Sequence, residues 1–135
     1  MNNNQKLLKF YKTYNGRGIE DDIGYKSADF KKFASAAKRT FSSVASEMGF
    51  ELSKFFVGHY DISGFFSNGD RHVYFSYNVP RGEIPMNLED AGVRGFLYRT
   101  AKNLTDYSGG TNNFCSLLSL MDNVATMIGA TEQEG

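Results

Sequence analysis

Apolar residues recur every three to four positions in three parts of the chain, which is the spacing of amphipathic helices. A short pattern of this kind predicts a first helix over residues 5–14. The clearest pattern predicts a second helix that ends at Gly49, with a buried stripe of Phe30, Phe33, Ala34, Ala37, Phe41, Val44, Ala45 and Met48. A third stripe predicts a last helix over residues 113–128, through Phe114, Leu117, Leu118, Met121, Ala125 and Ile128.

Between the second and third helices the apolar period changes to 2, which is typical of β-strands. Residues 50–57 predict a strand, and residues 59–66 predict either its continuation past a bend or a second strand. The Asn-Gly pair at 68–69 favours a tight hairpin turn. Residues 71–79 then return as a strand, with Val73, Phe75, Tyr77 and Val79 on one face and His72, Tyr74, Ser76 and Asn78 on the other.

The order of these elements predicts an α+β fold. Residues 80–94 contain both prolines and show no regular spacing of apolar residues, so they are predicted to form a long loop. Residues 95–101 are predicted to form a further strand. The order α-α-β-β-β-β-α favours a two-layer sandwich, in which an antiparallel sheet of three to four strands has its helices packed on one face. The other face would be open to a partner. A chain of 135 residues is expected to form one domain, with residues 1–4 and 130–135 disordered.

Composition and charge exclude several classes of protein. The net charge is zero, so bulk electrostatics give no argument for nucleic acid or for an anionic membrane. The charge is nevertheless uneven, since residues 1–50 hold nine Lys/Arg and five Asp/Glu while residues 51–135 hold six and ten. A single cysteine, Cys115, can form neither an internal disulfide nor a structural zinc site by itself. Because the sequence has no apolar stretch typical of a signal peptide or a membrane span, we expect a cytoplasmic location and no membrane contact. We also expect no cofactor and no metal.

The densest group of polar chemistry follows the strand predicted over residues 95–101. Within thirteen residues it places Arg99, Lys102, Asp106, Tyr107, Gly109, Gly110 and Thr111. If the glycines open the last helix, its free N–H groups and the two cations could hold an anion such as a phosphate. A plain strand-to-helix turn also uses Gly-Gly, and no lysine follows to complete a nucleotide-binding loop. Both interpretations stay open.

A second group lies on the two arms of the predicted Asn-Gly hairpin and consists of His59, Asp61, Arg71, His72 and Tyr74. A His–Asp pair near Ser63 suggests a hydrolase. The spacing is too compact for a catalytic triad, however, because alternate residues of one strand face lie side by side about 7 Å apart and none is buried behind another. Two histidines alone do not make a catalytic zinc site. A polar, partner-facing surface is the alternative.

Two further features have a plain structural alternative. The second helix carries a basic stripe of Lys31, Lys32, Lys38 and Arg39, which is either a solvated face or part of an anion-binding surface. Cys115 is predicted one residue past a helix start, where a thiol pKa can fall, although its neighbours Phe114 and Leu117 favour a half-buried structural residue.

Two resemblances accompany these patterns. The α-β-β-β-α order is similar to that of the double-stranded-RNA-binding domain, but the last helix, TNNFCSLLSL, lacks the lysines that such a domain needs there. The segments His59–Phe66 (HYDISGFF), Val73–Ser76 (VYFS) and Arg99–Asn112 (RTAKNLTDYSGGTN) resemble small uncharacterised proteins of phages and mobile elements of gut bacteria. That resemblance implies an accessory or anti-defence role, such as inhibition of a host nuclease system.

The sequence therefore supports three hypotheses. The first is a small non-enzymatic binding protein, of a phage or mobile element, that acts through protein–protein contact. The second is a protein that binds a nucleotide or nucleic acid through Arg99, Lys102, Gly109 and Gly110, helped by the basic stripe. The third is a small hydrolase that uses His59, Asp61 and His72. The sequence does not indicate the identity of the partner or the oligomeric state.

Overall fold

The computed structural model describes residues 2–15, 28–58, 61–78, 95–106 and 110–129. The elements in chain order are α1 (Asn3–Tyr14), α2 (Ala28–Glu47), β1 (Glu51–Val57), β2 (Asp61–Asn68), β3 (Arg71–Asn78), β4 (Phe96–Ala101), β5 (Asn113–Cys115) and α3 (Leu117–Met127). The fold is α+β, as the sequence predicted, with a sheet of five antiparallel strands in the order β1-β2-β3-β4-β5.

Local sequence signals explain the two amino-terminal helices. Asn2 caps α1, because its side chain accepts the Gln5 N–H at 2.8 Å while the Gln5 side chain accepts the Asn2 N–H at 2.9 Å. Asn3 and Asn4, predicted to lie in a disordered tail, therefore belong to the first turn of α1. In α2 the predicted stripe from Phe30 to Ala45 is buried. The chain leaves α2 through Gly49, which has a φ of +89° that favours glycine.

The predicted Asn-Gly hairpin joins β2 to β3, and Gly69 has a φ of +66°. Residues 59–66 were predicted either to continue the first strand or to form a second one, and the second alternative is confirmed. The turn between β1 and β2 closes with a 2.8 Å hydrogen bond from the Gly58 N–H to the Asp61 carbonyl. His59 and Tyr60 lie outside the described residues, as do the loop predicted at 80–94 and the tail at 130–135.

The helices pack on the sheet face that carries Phe66, Phe75 and Phe96, which we call the inner face. Phe41 of α2 is fully buried above this face, and its ring centroid lies 6.4 Å, 5.9 Å and 6.0 Å from the centroids of those three rings. Phe10 of α1 contacts the same ring at 5.9 Å. The buried residues of α3 belong to the same hydrophobic cluster, so one core holds both layers together.

The predictions for the last helix were wrong at its start. Residues 113–115 form the edge strand β5, which pairs with β4, and α3 begins only at Leu117 after the N-cap Ser116. The sheet accordingly has five strands instead of the three to four predicted. Phe114, assigned to the buried stripe of the helix, lies on the sheet with 42% of its surface exposed.

The opposite side of the sheet, here called the outer face, was predicted to be open, and it is open only in part. His72, Tyr74 and Ser76 point to it and are half-buried, as the alternation predicted. Phe65 also points to it but is completely buried, with its ring 5.3 Å from that of Tyr74. The exposed apolar surface of this face is concentrated on Phe56 and Phe114.

Candidate functional site

The polar turn after β4 is stabilised by its own side chains. The Asp106 carboxylate accepts the Lys102 N–H at 2.9 Å, and Asn103 Oδ1 accepts the N–H and the hydroxyl of Thr105 at 2.9 Å and 2.8 Å. These are the bonds of an ordinary Asx-type turn. Asp106 therefore shapes the turn, and Lys102 is exposed beside it. Tyr107 and Gly109 lie outside the described residues.

The anion site was predicted at the start of a helix, but no helix begins at that position. Gly110 precedes the strand β5, so no helical N–H groups follow it. Its φ is +71°, and a Cβ built on it would lie 2.7 Å from the Thr100 carbonyl oxygen. Glycine is needed here because the backbone passes close to β4. Thr111 is exposed, and its carbonyl accepts a 2.9 Å bond from the Asn113 side chain.

Arg99 of β4 contacts β3 and the segment that precedes β5. Its guanidinium lies 4.7 Å from the centroid of the Tyr74 ring, in a cation–π contact, and its Nη1 donates a 2.7 Å hydrogen bond to Asn112 Oδ1. The structure thus brings together Arg99, Tyr74 and the segment that leads into β5. It places this group on the side of the sheet opposite α2, so Arg99 does not share a surface with the basic stripe of that helix.

Two of the three predicted hydrolytic residues, Asp61 and His72, are far apart, and the third, His59, lies outside the described residues. Asp61 pairs with Asn78 at one end of the β2–β3 hairpin, and His72 pairs with Ser67 at the other end. The six-residue separation corresponds to about 20 Å along the strands. His72 Nδ1 lies instead 2.7 Å from the Ser67 hydroxyl, in a cross-strand hydrogen bond. Catalytic groups must lie within hydrogen-bond reach of one another, and Asp61 and His72 do not.

Arg71 lies at the carboxyl end of α3. Its Nη1 is 2.5 Å from the position that a Cβ on Gly129 would occupy, and Asn68 Nδ2 donates a 3.2 Å hydrogen bond to the Ile128 carbonyl. A cation and an amide donor at this place complement the unpaired carbonyls and the dipole of the helix. Arg71 therefore lies beside the end of α3 and is not part of the Arg99 group.

A row of residues crosses all five strands on the outer face, and sequence reasoning missed it. Consecutive strand pairs align Phe56, Ser63, Ser76, Leu97 and Phe114 directly opposite one another. Phe56 and Phe114, at the two ends, are 38% and 42% exposed. The alternation of residues along β1 and β4 could have indicated that Phe56 and Leu97 lie on the same face as the polar residues of β3. Phe114 could not be recognised, because its spacing from Leu117 and Met121 also fits a helix.

The thiol of Cys115 lies on the inner face, in β5, and not past a helix start as predicted. Burial raises its pKa from 9.0 to about 11, although a hydrogen bond with Asn123 opposes the rise. Burial also raises the pKa of the neighbouring Tyr98 hydroxyl, and the Cys115 charge adds to that rise. The pair is kept neutral by its surroundings, so Cys115 is a structural residue and not an activated nucleophile.

We expect native Cys115 to react slowly with a disulfide reagent such as dithionitrobenzoate. A thiol with a pKa of about 11 is about 1 part in 10⁴ thiolate at pH 7, against a few per cent for a free thiol. Labelling should therefore be at least about 100-fold slower than for the urea-unfolded chain. Since the chain has one cysteine, the absorbance change reports this site alone. Labelling of the native chain at the unfolded rate would contradict the buried position.

No group of three or more His, Cys, Asp or Glu that could hold a metal is found within the described residues. In the same part of the chain no helix is long and apolar enough to cross a membrane. A scan against protein-family models found no match, and searches of curated proteins and of solved structures found none either. The function must therefore be argued from the surfaces of an α+β protein.

Proposed function

We propose that this chain is a non-enzymatic binding protein that docks a protein partner on the outer face of its sheet. The observation that supports this most strongly is the exposure of Phe56 and Phe114 in one cross-strand row. Isolated apolar side chains are normal on protein surfaces. Here, however, the exposed large apolar residues of the described chain, Phe56, Val57 and Phe114, all belong to edge strands of this sheet.

One partner can contact both exposed rings. Four strand spacings separate β1 from β5, which corresponds to about 19 Å at the usual spacing. A standard interface buries about 800 Å² on each partner and is therefore about 30 Å across. Aromatic side chains are enriched in the buried centre of such interfaces, where they contribute much of the binding energy.

The charges beside the row indicate the chemistry of the partner. The adjacent cross-strand row contains Lys54, Phe65, Tyr74 and Arg99, so two half-buried cations flank the apolar row on one side. A protein surface with apolar side chains bordered by carboxylates is complementary to this arrangement. The separation of Asp61 from His72 and the raised pKa of the Cys115 thiol favour binding over catalysis.

The resemblance to phage and mobile-element proteins gives this proposal its narrower form. In that form the partner is a component of a bacterial defence complex, and the chain inhibits it by covering its surface. Because of this resemblance, a lysate of a gut bacterium that carries such elements is the appropriate sample for a test.

We expect the double substitution Phe56→Ser/Phe114→Ser to abolish capture of the partner while leaving the fold intact. Both rings are partly exposed, so each change should lower the free energy of unfolding by only about 1–2 kcal/mol. Losing two aromatic anchors should weaken binding by at least about 3 kcal/mol, which is more than 100-fold. The measurement is quantitative mass spectrometry of proteins retained from lysate by the native and substituted chains.

The matched control is Lys12→Ser/Lys31→Ser, which removes two exposed side chains from the helical layer. A partner that is retained by the native chain and by this control, but not by the Phe56→Ser/Phe114→Ser chain, supports the proposal. A set of retained proteins that is the same for all three chains would refute it, because capture would then not depend on the outer face.

A further inference from the structure

The groove between α1 and α2 is a concave surface with positive charge on both sides. It has a volume of about 400 Å³ and is lined by Lys6, Lys9, Phe10, Thr13, Tyr14, Ala36, Arg39, Thr40 and Ser43. These residues include three cations and four hydroxyl groups, and none of them carries a carboxylate. A concave surface with one sign of charge focuses the electric field and concentrates ions of the opposite sign.

The positive charge extends beyond the groove. The helices α1 and α2 contain seven Lys/Arg and two acidic residues, Asp29 and Glu47, which lie at the two ends of α2. A second depression on the surface of α2 is lined by Lys38, Arg39, Ser35, Ser42 and Ser43. The neutral net charge of the whole chain hides this surface, because the compensating acidic residues lie elsewhere in the sequence.

The packing of α1 against α2 positions the cations of the groove. Lys6 Nζ donates a 2.8 Å hydrogen bond to Ser43 Oγ, which links α1 to α2 across the groove. Phe10 forms its floor and stacks on Phe33 at 5.6 Å. Lys9 and Arg39 are exposed on the two sides. Their positions are therefore fixed by the packing of the two helices, not by a flexible tail.

We propose that this groove binds the phosphate backbone of a nucleic acid. Lys and Arg side chains together with Ser and Thr hydroxyls are the groups that contact phosphate oxygens in such complexes. An anionic membrane surface is less suited, because helices that lie on membranes also present large apolar side chains. The exposed large apolar residues of the described chain are on the sheet and not on α1 or α2.

This site differs from the phosphate site that the sequence suggested. Arg99 and Lys102 belong to β4 and its turn, and Arg99 points to the outer face, away from the helices. The basic stripe of α2 contributes Arg39 and Lys38, but its partners are Lys6 and Lys9 of α1, which the sequence analysis did not single out. Phosphate binding here also leaves the outer face available to a protein.

The test is fluorescence anisotropy with labelled 20-nucleotide single strands and 20-base-pair duplexes, in DNA and RNA, at 50 to 200 mM salt. Three neutralised phosphates predict a slope of log affinity against log salt of about −2 for a single strand and about −3 for a duplex. The variant Lys9→Gln/Arg39→Gln should bind at least about tenfold more weakly at 50 mM salt, with the slope reduced by about 1.4 or more.

The control is Arg71→Gln/Lys102→Gln, which also replaces one arginine and one lysine and gives the same net charge. It should bind as the native chain does, as should Phe56→Ser/Phe114→Ser, since neither alters the groove. Equal weakening by both charge variants would overturn the proposal, because binding would then follow net charge alone. It would also be overturned by no binding at 50 mM salt, by tighter binding to anionic lipid vesicles, or by equal binding to polyglutamate.

Discussion

Replacing Phe41 by alanine is expected to lower the free energy of unfolding by about 3–5 kcal/mol, the usual cost of deleting a buried aromatic ring. The ring is fully buried, and it contacts three strands of the sheet and α1. A cavity at this position would remove ring contacts of α2 with the inner face and a ring contact between the two helices at once. Urea denaturation followed by circular dichroism would measure the change.

The loss is large against the 5–15 kcal/mol that stabilises a typical domain, so the alanine variant could be unfolded before denaturant is added. Phe41→Leu keeps most of the volume and should cost about 1–2 kcal/mol, in a chain that still folds. Phe114→Ala serves as the control, because its partly exposed ring should contribute only about 1–2 kcal/mol. Equal losses for Phe41→Ala and Phe114→Ala would contradict the position of the core.

Gly64→Ala is expected to destabilise the protein by about 3 kcal/mol, the upper end of the cost of overpacking. Gly64 lies in β2 between Phe55 and Phe75 in one cross-strand row. Those two rings approach to 6.4 Å over the missing side chain. A Cβ at this position would also meet the Lys54 carbonyl oxygen, where the backbone of β1 bulges between Leu52 and Lys54. Backbone on that side and packed rings on the other leave the methyl group no space.

Gly69→Ala is the matched control for this prediction. Gly69 has a φ of +66°, but a Cβ there would have no atom within 4 Å. Its replacement should cost about 1 kcal/mol for the left-handed conformation alone, as measured in the same urea experiment. If Gly64→Ala were no more destabilising than Gly69→Ala, the tight pairing of β1 with β2 would be wrong. Because that pairing positions Phe56, Gly64→Ala should also weaken capture of the partner under conditions where the variant is folded.

The elements that the sequence predicted well are those with strong local signals. The stripe of α2 extends over five turns and ends at a glycine, and the Asn68-Gly69 pair sets the turn and the register of β2 with β3. Alternation in residues 71–78 then determines which face each side chain of β3 joins. In these segments local propensity and the final fold agree, so neighbouring residues suffice to predict the structure.

The start of α3 was mispredicted because a distant contact determines it. The spacing of Phe114, Leu117 and Met121 is helical, yet Asn113–Cys115 gains the backbone hydrogen bonds of an edge strand by pairing with β4. No local signal marks this pairing, since the paired residues of β4 lie 15 to 19 positions earlier in the chain. The same error predicted a helix entrance at Gly110 and placed Cys115 one residue past a helix start, and neither arrangement exists in the structure. The interpretation of Cys115 as a structural residue is confirmed by its burial.

The candidate sites, like the start of α3, depend on contacts between residues that are distant in sequence. Sequence proximity suggested that Arg99 works with Gly110 and that Asp61 works with His72, but register and topology decide which residues share a surface. The row from Phe56 to Phe114 and the groove between Lys9 and Arg39 each combine residues that are distant in sequence. Neither surface could be assembled without the strand order and the packing of α1 on α2.

The most direct test of the proposed function is photo-crosslinking from the outer face. Benzoylphenylalanine would replace Phe56 or Phe114 in separate chains, with Ser46 and Thr126, both exposed on helices, as control positions. Each chain would be irradiated in the lysate described above. We predict that positions 56 and 114 crosslink to the same protein, that positions 46 and 126 do not, and that excess native chain, but not the Phe56→Ser/Phe114→Ser chain, competes. Crosslinks of equal yield from all four positions, or different proteins at 56 and 114, would contradict a single partner bound across the outer face.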